Sequence, residues 1–110
     1  MRIAFFTVAL AALSGHAHAG LRLPAPGLYC PVIVDAPPIS VGARGVLGID
    51  LLDCEGVRLA RGRARAEACF ANGGARVALD TDLVIRQDGT LLHDGVTFRL
   101  YTGPRPCPVP

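Results

Sequence analysis

The chain has 110 residues, with eleven basic side chains against nine acidic ones, a formal net charge of +2 and no tryptophan. All of the basic residues are arginine, and one of them, Arg2, belongs to the leader described next, so the rest is close to neutral. That balance argues against nucleic acid or an anionic membrane surface as the main partner, because counterion-release binding needs an uncompensated basic face.

Met1 and Arg2 form a short positive start, Ile3 to Leu13 an apolar run, and Ser14 to Ala19 a small-residue region ending in Ala17-His18-Ala19. This is the pattern of a secretory signal peptide cleaved after Ala19. Ser14, Gly15 and His16 interrupt the apolar run well short of the ~20 residues of a membrane-spanning helix. Residues 20–110 are then one small domain, exported to the periplasm or the medium, with no integral span. The absence of lysine, beside abundant Ala and Gly, fits the coding bias of a GC-rich bacterial genome.

Gly20 to Gly27 is too rich in proline for central structure, and Leu28 to Val34 reads as the first strand. Pro31 lacks a ladder donor, which predicts an edge strand or a bulge. Asp35 to Ser40 reads as a stiff polyproline-like connector. Val41 to Asp53, with glycines at 42, 45 and 48, reads as one bent strand. A turn at Glu55-Gly56 would set Leu52 against Leu59, Asp53 against Arg58 and Asp50 against Arg61.

From Gly62 to Phe70 small or apolar residues alternate with Arg63, Arg65, Glu67 and Cys69, the period of a strand with one dry face. Asn72-Gly73 predicts a two-residue type I′ hairpin. The resulting register opposes Arg65 to Asp80 and Arg63 to Asp82, and sets Phe70, Ala68 and Ala66 against Ala75, Val77 and Leu79. With the Glu55-Gly56 hairpin, each of Arg58, Arg61, Arg63 and Arg65 then has an acid opposite it. A helix ending at Asn72-Gly73-Gly74 is the rival, but a helical wheel scatters the arginines and leaves the charge matching to coincidence.

Past Asp82 two Asp-Gly turns, at 88–89 and 94–95, predict a meander. Leu91, Val96, Phe98 and Leu100 fall on one face and Leu83, Ile85 and Leu92 on the other. The tail Gly103 to Pro110 is too proline-rich for a strand and needs Cys107 to hold it. The fold class expected is all-β: a small disulfide-stapled antiparallel meander of 6 to 8 short strands, closing as a sandwich or partly open barrel.

Cys30, Cys54, Cys69 and Cys107 predict two structural disulfides, since a domain this small buries little surface without staples. No C-x-x-C pair is present and His93 is the only histidine beyond the leader, which disfavours a zinc site or thioredoxin chemistry. If Val57 to Phe70 is one extended strand, Cys54 and Cys69 lie roughly 40 Å apart at about 3.3 Å per residue. The favoured pairing is then Cys30 with Cys54 and Cys69 with Cys107.

For catalysis the chain offers little. A Ser40, His93, Asp triad lacks a G-x-S-x-G elbow, and His93, beside a turn, reads as solvent-exposed. Asp80, Asp82, Asp88 and Asp94 are explained by turns and ion pairs. No catalytic, cofactor-binding or metal site is assigned. The expectation is a non-enzymatic protein-binding, inhibitor or envelope-accessory module whose partner is another envelope or extracellular protein. The alternative is a small secreted hydrolase using His93 and nearby aspartates.

Overall fold

A computed structural model describes residues 23–109; the signal peptide and its cleavage point lie outside them. The described chain is all strand: β1 (Gly27–Pro31), β2 (Ile39–Val41), β3 (Leu47–Ile49), β4 (Leu52–Glu55), β5 (Arg58–Ala60), β6 (Arg63–Phe70), β7 (Arg76–Asp82), β8 (Val84–Ile85), β9 (Leu91–His93) and β10 (Val96–Tyr101). All pair antiparallel in one sheet, in the order β5-β6-β4-β3-β2-β1-β10-β9-β8, with β7 on the other side of β6. The ten strands exceed the 6 to 8 expected because segments read as single strands are divided.

β7 and β8 are separated only by Leu83, so the two edges of the sheet are successive pieces of one chain segment. The sheet therefore curls into a half-barrel, one of the two closures expected. Its concave side is packed with Tyr29, Ile39, Leu47, Ile49, Cys54, Ala64, Ala66, Cys69, Leu79, Leu83, Leu91 and Phe98.

Several local expectations are corrected. β1 is central, between β2 and β10, and Pro31 is tolerated because it ends the strand beyond the pairing with β2. Residues 41–53 are the end of β2, the whole of β3 and the start of β4, folded around a loop at 42–46 and around Asp50-Leu51, where both residues have positive φ (52° and 65°). Glu55-Gly56 is no turn. β4 and β5 pair with β6 in one continuous register, and the chain reverses at Arg61-Gly62, with φ of 55° and 75°. Arg58 consequently lies opposite Arg65 rather than an aspartate, and Arg61 sits in the turn.

The β6–β7 hairpin keeps the predicted register at its base, where Arg63 opposes Asp82 and Arg65 opposes Asp80. Near its tip the register is one residue different. The loop holds three residues, with Ala71 N–H donating to Ala75 C=O and positive φ at Gly73 and Gly74 (89° and 88°) but not at Asn72. A bulge between Ala66 and Cys69 absorbs the difference. It also switches which side chains point inward. Ala64 and Ala66 are buried, then Cys69, while Phe70 turns to solvent.

That switch overturns the favoured disulfide pairing. Cys54 and Cys69 are directly opposed across β4 and β6, with Cα atoms 4.0 Å apart, and form one disulfide; Cys30 and Cys107 form the other. The error came from extending the chain unbroken from Val57 to Phe70, where it doubles back at Arg61-Gly62. The second bond fixes the proline-rich tail to β1, as the tail's composition required, through Cys30 rather than Cys69. In the last meander Asp94-Gly95 forms the expected tight turn. Ile85 opposes Leu91 and shares its face, while Leu92 pairs with Val84 on the outer one.

Candidate functional site

His93 is not exposed. Alternation along β9 puts Leu91 and His93 on the inner face, and His93 is only 4% accessible. Its Nδ1 lies 2.7 Å from the Asp82 backbone carbonyl oxygen, and its Nε2 lies 3.0 Å from both carboxylate oxygens of Asp50. A carbonyl and a carboxylate only accept, so both ring nitrogens carry protons and donate. Burial alone would depress the pKa of this imidazole. The bond to the Asp82 carbonyl, the bond to Asp50 and the charges of Asp50 and Asp82 outweigh it and raise the pKa above the ordinary value. The Asp94 N–H completes the junction by donating to Asp82 Oδ2 at 2.9 Å. This imidazolium ties β9 to the β3–β4 turn and to the end of β7, so it clamps the curl of the sheet.

While both its ring nitrogens donate, His93 offers no lone pair to take a proton from a nucleophile. Ser40 is exposed on β2 and lines a shallow outer recess of about 310 Å³ with Leu28, Pro37, Pro38, Gly48, Asp53 and Arg105. His93 is not part of that recess, and no triad is assembled.

The aspartates are likewise engaged. Arg63 (2.9 Å) and Arg65 (3.3 Å) both reach Asp80. The Arg63 hydrogen bond is the main cause that lowers its pKa. Arg63 thus passes over its register partner Asp82, whose carboxylate serves Asp94. Asp88 accepts from the Thr90 hydroxyl (2.7 Å) and N–H (2.9 Å), and these bonds hold its carboxyl below the usual range.

A cleft of about 540 Å³ lies between the segment entering β1 and the 86–90 loop. Arg86 and Arg99 line it beside Leu23, Pro24 and Leu100. Arg86 donates from Nη1 to the Thr97 hydroxyl (3.0 Å), and Asp88 offsets part of the positive charge. Among the described residues no group of three or more His, Cys, Asp or Glu is placed to hold a metal ion. Among them there is no helix long and apolar enough to cross a membrane.

One feature offers unused binding capacity. Among the described residues β7 pairs only with β6, and the Ala71–Ala75 and Leu83–Gly62 backbone bonds set its phase: residues 75, 77, 79, 81 and 83 turn their N–H and C=O groups toward β6. Arg76, Ala78, Asp80 and Asp82 turn theirs outward. The Asp82 carbonyl confirms the phase by reaching His93. Arg76, Ala78 and Asp80 are exposed, and Val77 beside them is 38% accessible. Sequence reasoning could not see this edge, because the strand signal was legible and its lack of a second neighbour was not. For His93 a signal did exist: period two places it on the face of Leu91.

Compared with known protein families, curated proteins and solved structures, the chain matches none.

Proposed function

We propose that this is an exported, disulfide-stapled β domain that acts by binding another envelope or extracellular protein, and that the free edge of β7 is its binding element. The observation that carries this reading is the run of outward backbone groups at Arg76, Ala78 and Asp80, a template on which an extended segment adds as a further strand. Both disulfides support an oxidising, extracytoplasmic setting, and the doubly donating His93 supports binding over catalysis.

The test is capture from periplasmic or secreted fractions with the wild type and with Ala78→Pro, which removes one outward donor while leaving the ladder to β6 intact. A stoichiometric partner retained by the wild type and lost by the variant is the expected result. Equal capture by both refutes the edge reading. Hydrolysis of generic ester, peptide or glycoside substrates that disappears in His93→Gln would refute the non-enzymatic one.

A further inference from the structure

We infer that the partner this edge fits is a second copy of the chain, paired antiparallel through β7 about a two-fold axis at Ala78. The inference rests on the reading of β7 as the binding edge and deepens it by naming the occupant. Antiparallel pairing along this edge sets outward residues opposite outward ones, so the axis passes through a hydrogen-bonded centre at Arg76, Ala78 or Asp80 or through a non-hydrogen-bonded one at Val77 or Leu79. A centre at Val77 sets Arg76 against Ala78 and leaves the charges unmatched, and one at Leu79 opposes Arg76 to Asp82, whose carbonyl is already taken by His93. A centre at Arg76 places that arginine on its own copy. A centre at Asp80 places two carboxylates together and opposes Ala78 to Asp82, whose carbonyl is already taken by His93. At Ala78 these conflicts vanish, because Arg76 then faces Asp80 of the other copy on each side of the axis. The segment Arg76-Val-Ala-Leu-Asp80 is a charge palindrome about its central residue.

The side chains suit that register. Arg76, Ala78 and Asp80 share one face of β7. Arg76 uses its Nε on the Glu67 carbonyl (3.3 Å), which leaves its terminal nitrogens to reach across. All contacts made by Asp80 in the single chain go to Oδ1, so Oδ2 is turned to no partner among the described residues. On the other face the half-exposed Val77 meets Leu79 of the second copy in the closer, non-hydrogen-bonded type of pair. The interface is isologous and closed, and it covers the β7 edge of both copies. Proline, lysine and a bulge, which keep many edge strands solitary, are absent from β7, and its edge charges Arg76 and Asp80 are the ones matched across the axis; the bulge of this hairpin lies in β6.

The test uses the protein recovered from the exported fraction. Sedimentation across a concentration series should show monomer converting to dimer. Arg76→Asp should abolish the dimer while leaving in place the melting curve recorded at concentrations where the wild type is monomeric, and Asp80→Arg should do the same. An equimolar mixture of the two should recover dimer mass, since each pair then joins opposite charges only in the mixed species. Should Asp80→Arg fail to fold, having lost its contacts to Arg63 and Arg65, Ala78→Cys replaces it. Opposed residues of a hydrogen-bonded pair have Cα atoms about 5.5 Å apart, inside the usual disulfide range, so Ala78→Cys should cross-link on mild oxidation and Ala75→Cys should not. A wild type that stays monomeric throughout, yet loses its captured partner on Ala78→Pro, overturns self-pairing and leaves the edge reading standing. Dimer mass that survives both Arg76→Asp and Ala78→Pro overturns the two together.

Discussion

The two disulfides should differ in worth, and in the opposite order to their loop lengths. The Cys54–Cys69 bond spans a sequence separation of 15 and the Cys30–Cys107 bond one of 77. Loop-closure entropy alone assigns about 3 kcal/mol to the first and about 4.5 kcal/mol to the second. The structure changes the comparison. Cys107 lies on an exposed tail past the last strand, so cutting its bond frees the tail in the folded state as well as the chain in the unfolded one. The surviving difference is that between closing the whole loop and closing the short segment from Tyr101 to Cys107, roughly 2 kcal/mol on the (3/2)RT ln n scale. Cys54 and Cys69 are at most 1% accessible and sit in rigid strands that gain no such freedom. Replacing both by alanine forfeits the full entropic term and leaves unfilled space in the core. We expect urea melts under non-reducing conditions to show a loss of about 3 kcal/mol or more for the Cys54→Ala/Cys69→Ala pair. The loss for Cys30→Ala/Cys107→Ala should be roughly 2 kcal/mol. A larger loss for the tail bond would refute the reasoning, because loop length would then outweigh burial.

At the β6–β7 loop, Gly73→Val should cost on the order of 1 kcal/mol or more, because position 73 holds a left-handed backbone, while Asn72→Ala should stay within about 0.5 kcal/mol. Thermal melts of the two variants decide it, and equal losses would restore the two-residue turn. For His93 the folded pKa is raised, so its stabilising contribution is fully present below the unfolded value of about 6.5 and is lost as pH rises through the folded value. Urea midpoints should therefore fall between mildly acidic and alkaline pH, and Asp50→Asn should flatten that dependence; a midpoint that rises over the same interval contradicts the doubly donating imidazole.

How much of this was legible in advance divides along physical lines. The charge pairs and alternation of residues 62–82 carried the strand class and the base register, because a one-residue slip there would separate Arg63 and Arg65 from Asp82 and Asp80. Asp94-Gly95 carried its turn because both residues tolerate positive φ. The reversals at Asp50-Leu51 and Arg61-Gly62 were not legible, since leucine and arginine seldom adopt the left-handed conformation they hold here. Tertiary pairing imposes it. Missing the second reversal produced the wrong disulfides, and missing both hid the meeting of Asp50 with His93. The burial of His93 follows from the Leu91, Leu92, His93 alternation, which outweighs its place beside a turn.

The bulge in β6 and the interruption between β4 and β5 are one dislocation crossing two strands. On β6 the inward positions run Ala64, Ala66 and then Cys69; on the facing chain the inward Cys54 and the core-packed Leu59 are likewise an odd number of residues apart. Both strands therefore change phase at the same level, with Gly56 at φ 63° and the Val57 N–H turned away to the Gly45 carbonyl at 2.9 Å. A bulge bends its strand and re-aims side chains, and here it aims Cys69 into the core beside Cys54. Gly56 supplies the left-handed backbone on which the phase change depends. A Cβ added there meets nothing within 4 Å, so substitution tests backbone conformation without steric confusion. Gly56→Ala should cost about 1 kcal/mol in urea unfolding, and Gly56→Asn clearly less, since asparagine enters that region more readily. Equal losses for the two would show that Gly56 is not held there by its φ, and the shared dislocation would need another origin.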